Sequence, residues 1–198
     1  MADGTRDRIV AQALRLFAEQ GYAATSVAAI EEAAGLSPRS GALYTHFGSK
    51  EQVLAAAVAG AVELAQTGFA LASMFPLGDL RAELVLVARG SLLLMTNWRN
   101  LIRVMMKESE QFPEVMSQAR ERLFTPSYRY LADWMTERAA QEGLPERDFE
   151  ATAAVWLGAI ENYWVMSNVY HHPPFDMDDG RFVAEWVDSL LTALGAKQ

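Results

Sequence analysis

Apolar residues recur along this chain at spacings of three and four, the period of a helix with one buried face. The two-residue alternation of a strand is nearly absent. Ile9, Ala13, Leu16 and Phe17 share one face of a helix predicted over 5–20, and Gly21 supplies its stop. Thr25 or Ser26 caps a short second helix whose buried stripe is Val27, Ile30 and Ala34, ended by Gly35. Ser37 caps a third, with Pro38 at its first position, where no amide hydrogen is needed, and Leu43 and Phe47 facing inward. Ser49 and Gln52 form a capping box that opens a fourth helix, running past Gly60 and Gly68 toward Ser73.

Pro76, Gly78 and Asp79 then break the chain. Further helices are predicted over 80–96, 98–109, 114–141, 148–169 and 179–194. Pro126 must kink or interrupt the third of these. Phe112-Pro113, Gly143 with Pro145, and the stretch from His171 to Asp176 read as turns and loops. The expectation is an all-α fold of nine helices, a small N-terminal helical unit joined to a larger bundle.

Composition narrows the classes. The chain has 198 residues, 51% of them hydrophobic, enough to bury a core without staples. It contains no cysteine, which excludes disulfide scaffolds, thiolate zinc sites and cysteine nucleophiles. The start of the chain lacks a signal-peptide layout, and the apolar stretches Ala55–Val62 and Leu84–Ala88 fall short of the roughly 20 residues a membrane span needs. A soluble, cytoplasmic protein without membrane contact is expected. The net charge of -8 is unevenly spread: residues 1–50 hold five basic and five acidic side chains, so the rest of the chain carries all of it. That contrast divides the chain into a head, 1–48, and a larger domain, 49–198.

Residues 25–50 read as a helix-turn-helix. Two short helices are joined through Ala34-Gly35-Leu36-Ser37, and in such a unit the second helix enters the major groove. An ordinary helical hairpin has the same periodicity. The run Ala33-Ala34-Gly35-Leu36-Ser37, then Leu43-Tyr44-Thr45-His46-Phe47-Gly48-Ser49-Lys50-Glu51, closely resembles the signature of the tetracycline-repressor (TetR) family of bacterial regulators. Leu16-Phe17-Ala18-Glu19-Gln20-Gly21-Tyr22 followed by Thr25 is similar to that family too, and the close match covers residues 9–54. The rest resembles the family in its helix count and in Glu110-Gln111-Phe112-Pro113-Glu114. In the commonest family pattern the capping serine stands two residues nearer the tyrosine; here Pro38 to Ala42 intervene, which lengthens the start of the recognition helix.

The resemblance implies a DNA surface. Arg39 is the best candidate to read a base, since arginine bonds guanine bidentately. Tyr44 would reach a phosphate, as would Lys50, which the helix dipole disfavours in a first turn unless an anion is near or it is simply a surface lysine. Thr25 would offer its hydroxyl to the backbone, cap a helix, or both. Ser37, Ser40 and Thr45 are weaker candidates, Gly41 and Ala42 permit close approach, and His46 touches phosphate or solvent. Arg6 and Arg8 flank the backbone or are solvated.

The larger domain is rich in aromatics and methionines: Met95, Trp98, Met105, Met106, Phe112, Met116, Tyr128, Trp134, Met135, Trp156, Tyr163, Trp164 and Met166. Each singly reads as core. As a group they suggest a cavity for a small hydrophobic or aromatic ligand, where family resemblance also places a pocket. Glu161 within an apolar run would favour a cationic ligand or lie at an interface. By resemblance the last two helices pair across a twofold axis, with Phe182, Trp186 and Leu190, or Val183, Val187 and Leu194, as the seam.

His171 and His172 beside two prolines read as a loop rather than a metal site, and no cofactor or catalytic constellation is expected. The implied function is a homodimeric regulator, a repressor, that binds a palindromic operator on double-stranded DNA and is released by a small ligand. The competing reading is a helical carrier or sensor without DNA function.

Overall fold

The computed structural model describes residues 4–73 and 78–196. Among them are ten α-helices and no strand. They are α1 (Thr5–Gln20), α2 (Val27–Ala33), α3 (Ala42–His46), α4 (Lys50–Ser73), α5 (Leu80–Asn97), α6 (Arg99–Glu108), α7 (Pro113–Ala119), α8 (Thr125–Glu142), α9 (Phe149–Asn168) and α10 (Asp179–Leu194). The helix expected over 114–141 is divided: a π-helical turn, Arg120–Phe124, stands between α7 and α8, and Pro126 lies in the first turn of α8, where its missing amide hydrogen costs nothing. Counted as one interrupted helix, that run returns the expected nine. The expected break at Pro76 lies outside the described residues; Asp79 caps α5 by accepting from the Ala82 amide at 3.1 Å.

Several helix starts follow from side chains visible in the sequence. Ser26 accepts from the Ala29 amide, Asp148 from Ala151 and Asp178 from Arg181. Ser49 accepts from the Gln52 amide, while Gln52 reaches one residue beyond the usual capping-box partner, to the Gly48 amide at 2.8 Å.

The chain divides into two compact units. The first comprises residues up to Leu64 together with Trp98–Leu123; the second comprises Ala65–Asn97 and the chain from Phe124 onward. The first is therefore larger than the head expected at 1–48, because α1 packs on α6 as well as on α2. Lys107 on α6 donates to the Ala18 carbonyl near the end of α1 at 2.7 Å. Ile9, Ala13 and Phe17 of α1, Ile30 of α2, and Leu43 and Phe47 of the recognition segment are buried, as their spacing predicts. In the second unit α8 packs on α9, and α5 packs on both α9 and α10. The Trp164 indole donates to the Thr96 hydroxyl at 3.0 Å, which in turn donates to the Leu92 carbonyl.

One helix stretch, Lys50–Ala70 in α4, is long and apolar enough to cross a membrane, with a mean hydropathy of 1.5. The expectation of no span rests on the shorter run Ala55–Val62, which alanines and glycines extend. Within α4, Val53, Leu54, Ala57, Val58, Ala61, Val62 and Ala65 are buried inside the protein.

The second unit also buries an ion pair. Arg138 Nε lies 3.1 Å from Glu83 Oε2, both side chains nearly enclosed, and Glu83 accepts from the Gly78 amide. Arg138 also donates to Gln141 Oε1 at 2.7 Å and to Glu142 Oε1 at 3.4 Å, so removing Glu83 leaves its charge partly met. Glu83→Ala is expected to lower stability by about 1–3 kcal/mol in chemical denaturation. An unchanged midpoint would show that Gln141 and Glu142 hold the guanidinium without it.

Candidate functional site

The head presents a polar surface at residues 37–46. Ser37, Arg39, Ser40, Tyr44, Thr45 and His46 are exposed, and Tyr44, at 58%, is among the most exposed large side chains of the protein. Leu43 and Phe47 turn inward on the opposite face, so the alternation that buries one side of α3 displays the other. The surface therefore combines a guanidinium, four hydroxyls and an imidazole on one short helix and the turn before it, the donor set that recognises phosphate and base edges.

The turn differs from the sequence expectation. The recognition helix does not begin at Ser37. Residues 37–41 form a turn closed by the Ser40 amide on the Ser37 carbonyl, and α3 starts at Ala42. Arg39 (φ 61°) and Gly41 (φ 75°) are left-handed, which ends any helical path through the segment. The residues between Ser37 and Leu43 thus lengthen a turn, not a helix. Ser37 caps nothing; Gly41 stands at the cap position, and the Ser40 hydroxyl accepts from the Ala42 amide at 3.3 Å.

Two expected phosphate contacts are engaged within the protein. Thr25 is 1% exposed: its hydroxyl donates to the Gly21 carbonyl at 2.8 Å and accepts from Gln20. Lys50 donates to the carbonyls of Tyr22 and Thr25, at 2.9 and 2.7 Å, and its ammonium lies 4.3 Å from the Tyr22 ring centre. Burial holds the Lys50 pKa below the usual lysine range. The cation that the helix dipole disfavours is thus offset by carbonyls of the α1–α2 loop. Arg8 donates to the Ala34 carbonyl and Arg6 lies over the Phe47 ring, so both brace the head.

That loop is a junction the sequence analysis does not name. The Tyr22 amide donates to Glu108 Oε1 at 3.2 Å, and the Tyr22 ring packs edge-on to Phe112, 4.5 Å between centres, and against Phe17. Phe112, expected in a ligand cavity, is buried here instead. The other missed residue is Glu31, fully buried, whose Oε1 accepts from the Leu43 amide at 3.1 Å. Its signal is its place on the apolar stripe of α2, four residues after Val27.

The expected cavity residues divide between the two units. Trp98, Met105, Met106, Phe112 and Met116 belong to the first, and Met95, Tyr128, Met135, Trp156, Glu161 and Tyr163 to the second. Met106 is exposed, Met135 is buried in the core, and Met95, Trp98, Met105 and Met116 are half-buried. Two aromatics serve packing on α10: the Trp156 carbonyl accepts from the Trp186 indole at 2.8 Å, and Tyr163 stacks on Phe182 at 4.0 Å while its hydroxyl donates to Asp179. Of the set in the second unit, Tyr128 and Glu161 are brought together, the phenol donating to Glu161 Oε2 at 2.9 Å across α8 and α9. Burial raises the Glu161 pKa, which the Tyr128 hydrogen bond partly opposes, and pushes the Tyr128 phenol up to about 12.

The expected seam on α10 is mostly used inside the chain. Val183, Trp186, Val187, Leu190 and Leu194 are buried and Phe182 is half-buried against Tyr163, because α5 and α9 already cover that face. Exposed instead are Ala154, Val155 (65%) and Asn162 on α9, and Ala184 on α10. The loop from His171 to Asp176 is exposed except at its two half-buried prolines. No cluster able to hold a metal occurs among the described residues.

Comparison with known proteins returns two family matches. The model described as bacterial regulatory proteins, tetR family, matches residues 9–57. That described as AefR-like transcriptional repressor, C-terminal domain, matches residues 84–196. The HTH-type transcriptional regulator TcmR of Streptomyces glaucescens is 47% identical over 49 residues, covering 25% of this chain and 21% of that protein. The match thus spans about a fifth of that curated relative's length. Among solved structures, Salmonella enterica GusR superposes with a TM-score of 0.71 at 25% identity, covering 97% of this chain and 96% of that one. The flavonoid-responsive regulator FrrA superposes with a TM-score of 0.65 at 26% identity, covering 96% of each chain.

Replacing Lys50 by methionine removes donors from two carbonyls and leaves the apolar stem. It is expected to destabilise the protein by about 1–3 kcal/mol in thermal denaturation; an unchanged midpoint would return Lys50 to the surface. At Glu161 the folded chain holds its proton more tightly than the unfolded chain does. Its stabilising share is therefore complete below the ordinary carboxylate pKa and is lost as pH rises through the raised one. Tyr128→Phe removes the bond that favours the charged form, so the Glu161 pKa moves further up. Carbon-detected NMR titration of the carboxyl reads this, and a fall would contradict the assignment.

Proposed function

Since this chain belongs to the tetR family of bacterial regulatory proteins and carries an AefR-like C-terminal domain, we propose that it acts as a dimeric, ligand-released repressor. The observation that carries the proposal is the exposed set Arg39, Tyr44, Thr45 and His46, displayed by a recognition helix whose other face is core. Arg39 reads a base edge and Tyr44 holds a phosphate. Lys50 and Thr25 support the head from behind and make no direct contact with DNA.

One head carries few free cations, so a single copy binds DNA weakly. A twofold pair reading half-sites one or more helical turns apart, about 34–36 Å per turn, supplies the rest. The exposed face of α9 around Ala154, Val155 and Asn162, with Ala184 of α10, is the surface available for that pairing, since the apolar stripe of α10 is already covered. A regulator that acts by binding needs no catalytic group, and its place of action is the cytoplasm, on the chromosome.

The ligand we infer is small, apolar and aromatic, with a hydrogen-bond donor or positive charge for Glu161 beside Tyr128. The flavonoid responsiveness of the similar regulator FrrA supports an aromatic class. If ligand weakens operator binding, operator weakens ligand binding by the same factor, about 5–150-fold for a coupling of about 1–3 kcal/mol. Helix α4 contributes to both units, up to Leu64 in the first and from Ala65 in the second, and is the covalent lever for that coupling.

Selection of genomic DNA fragments by the purified protein, before and after unfolding to strip bound ligand, is expected to enrich a palindrome. Arg39→Ala should then cost about 1–3 kcal/mol and relax preference at one symmetric position. No enrichment in either arm would replace this reading with that of a helical carrier.

A further inference from the structure

The turn before α3 is too long for its serine to cap the helix. Ser37 lies five residues before Ala42, and its carbonyl closes the turn to Ser40 instead. At five residues α3 is far below the length at which a helix holds itself. Its first amide hydrogens have no partner within the helix and must be met from outside. The Ala42 amide donates to the Ser40 hydroxyl at 3.3 Å, and the Tyr44 amide to the Gly41 carbonyl at 3.0 Å. Both acceptors belong to the turn itself. The Leu43 amide donates at 3.1 Å to Glu31, a residue of a different helix.

Glu31 is fully buried on α2, beside Ile30. Its Oε2 is also buried and has no hydrogen-bond partner among the described residues. Enclosing a carboxylate with one oxygen unmet costs stability. An apolar residue would complete the stripe of Val27, Ile30 and Ala34 at less cost, as replacements of buried charged groups elsewhere show. What the carboxylate contributes is position: it ties the first turn of α3 to the body of the head, where the turn alone leaves it tethered by a left-handed Arg39 and a left-handed Gly41.

We propose that Glu31 is a positioning residue for DNA recognition, a cap lent by α2 to the recognition helix in place of the displaced Ser37. It touches no DNA. It acts through the Leu43 amide to set the axial rotation of α3, and so the direction in which Tyr44, Thr45 and His46 leave the head. The inference rests on the DNA-binding reading of that surface.

Two variants test it, Glu31→Leu and Glu31→Gln. Leucine fills the site and removes the acceptor; glutamine keeps a carbonyl oxygen where Oε1 stands. In the DNA-free protein, exchange of the Leu43 amide is expected to quicken at least tenfold in E31L, with a melting temperature equal to or above that of the unaltered chain. Affinity for the selected palindrome should fall at least tenfold, while affinity for a scrambled duplex and its salt dependence stay within twofold. E31Q should keep the palindrome affinity within about threefold. Unchanged Leu43 exchange in E31L would overturn the proposal. So would equal losses on both duplexes, a glutamine variant as impaired as the leucine one, or a leucine variant that does not fold, since stability would then be what Glu31 supplies. If the unaltered chain selects no palindrome, the regulator reading fails, while the amide exchange still decides whether Glu31 holds α3.

Discussion

Short helices leave most of their end groups without internal partners, and the head of this protein is built largely from short helices. α2 has seven residues and α3 five. Their amides and carbonyls must be satisfied by groups brought from elsewhere in the unit. Glu31 meets an amide of α3, Lys50 meets two carbonyls of the α1–α2 loop, and Lys107 meets a carbonyl near the end of α1. The charged residues of the head thus work largely as fasteners. This fits a unit that extends beyond the first fifty residues, since two of these fasteners come from α4 and α6.

The same economy decides which polar side chains of the head remain uncommitted. A cation with two carbonyl partners is a poor phosphate ligand, whereas Arg39 and Tyr44 are exposed. The head is electrically neutral by composition. Its five basic side chains are balanced by five acidic ones, so little net positive charge is left for long-range attraction. A neutral head of this kind gives salt a smaller part in DNA affinity than a strongly basic one does.

Much of this was legible in the residues. The long helices are marked by their period, and Ser26, Ser49 and Asp148 mark starts that the structure keeps. The Tyr44 signature located the head, and the family comparisons agree with it. What escaped has physical causes. A left-handed arginine leaves no mark on hydrophobic period, so the start of α3 was placed at Ser37. An apolar stripe says that a face is covered but not by what; on α10 the cover is the chain's own α5 and α9. At Lys50, similarly, a lone cation in a first turn signals an acceptor without saying that the acceptor is a carbonyl 28 residues away. The aromatics that read as one cavity set are divided between packing on α10, the Tyr22 junction and the Tyr128–Glu161 pair, because composition does not say which helices face one another.

The lengthened turn has a consequence for how this protein can change. Its exposed residues Pro38 and Arg39 carry no core packing, and the helix after them is held by Ser40, Gly41 and, from α2, Glu31. Mutation there can vary the chemistry offered to a base without unsettling the fold that presents it. Duplicated genes that diverge first at these positions would acquire new operators while keeping their ligand response, so the segment is a natural seam for evolving, or engineering, orthogonal switches from one scaffold.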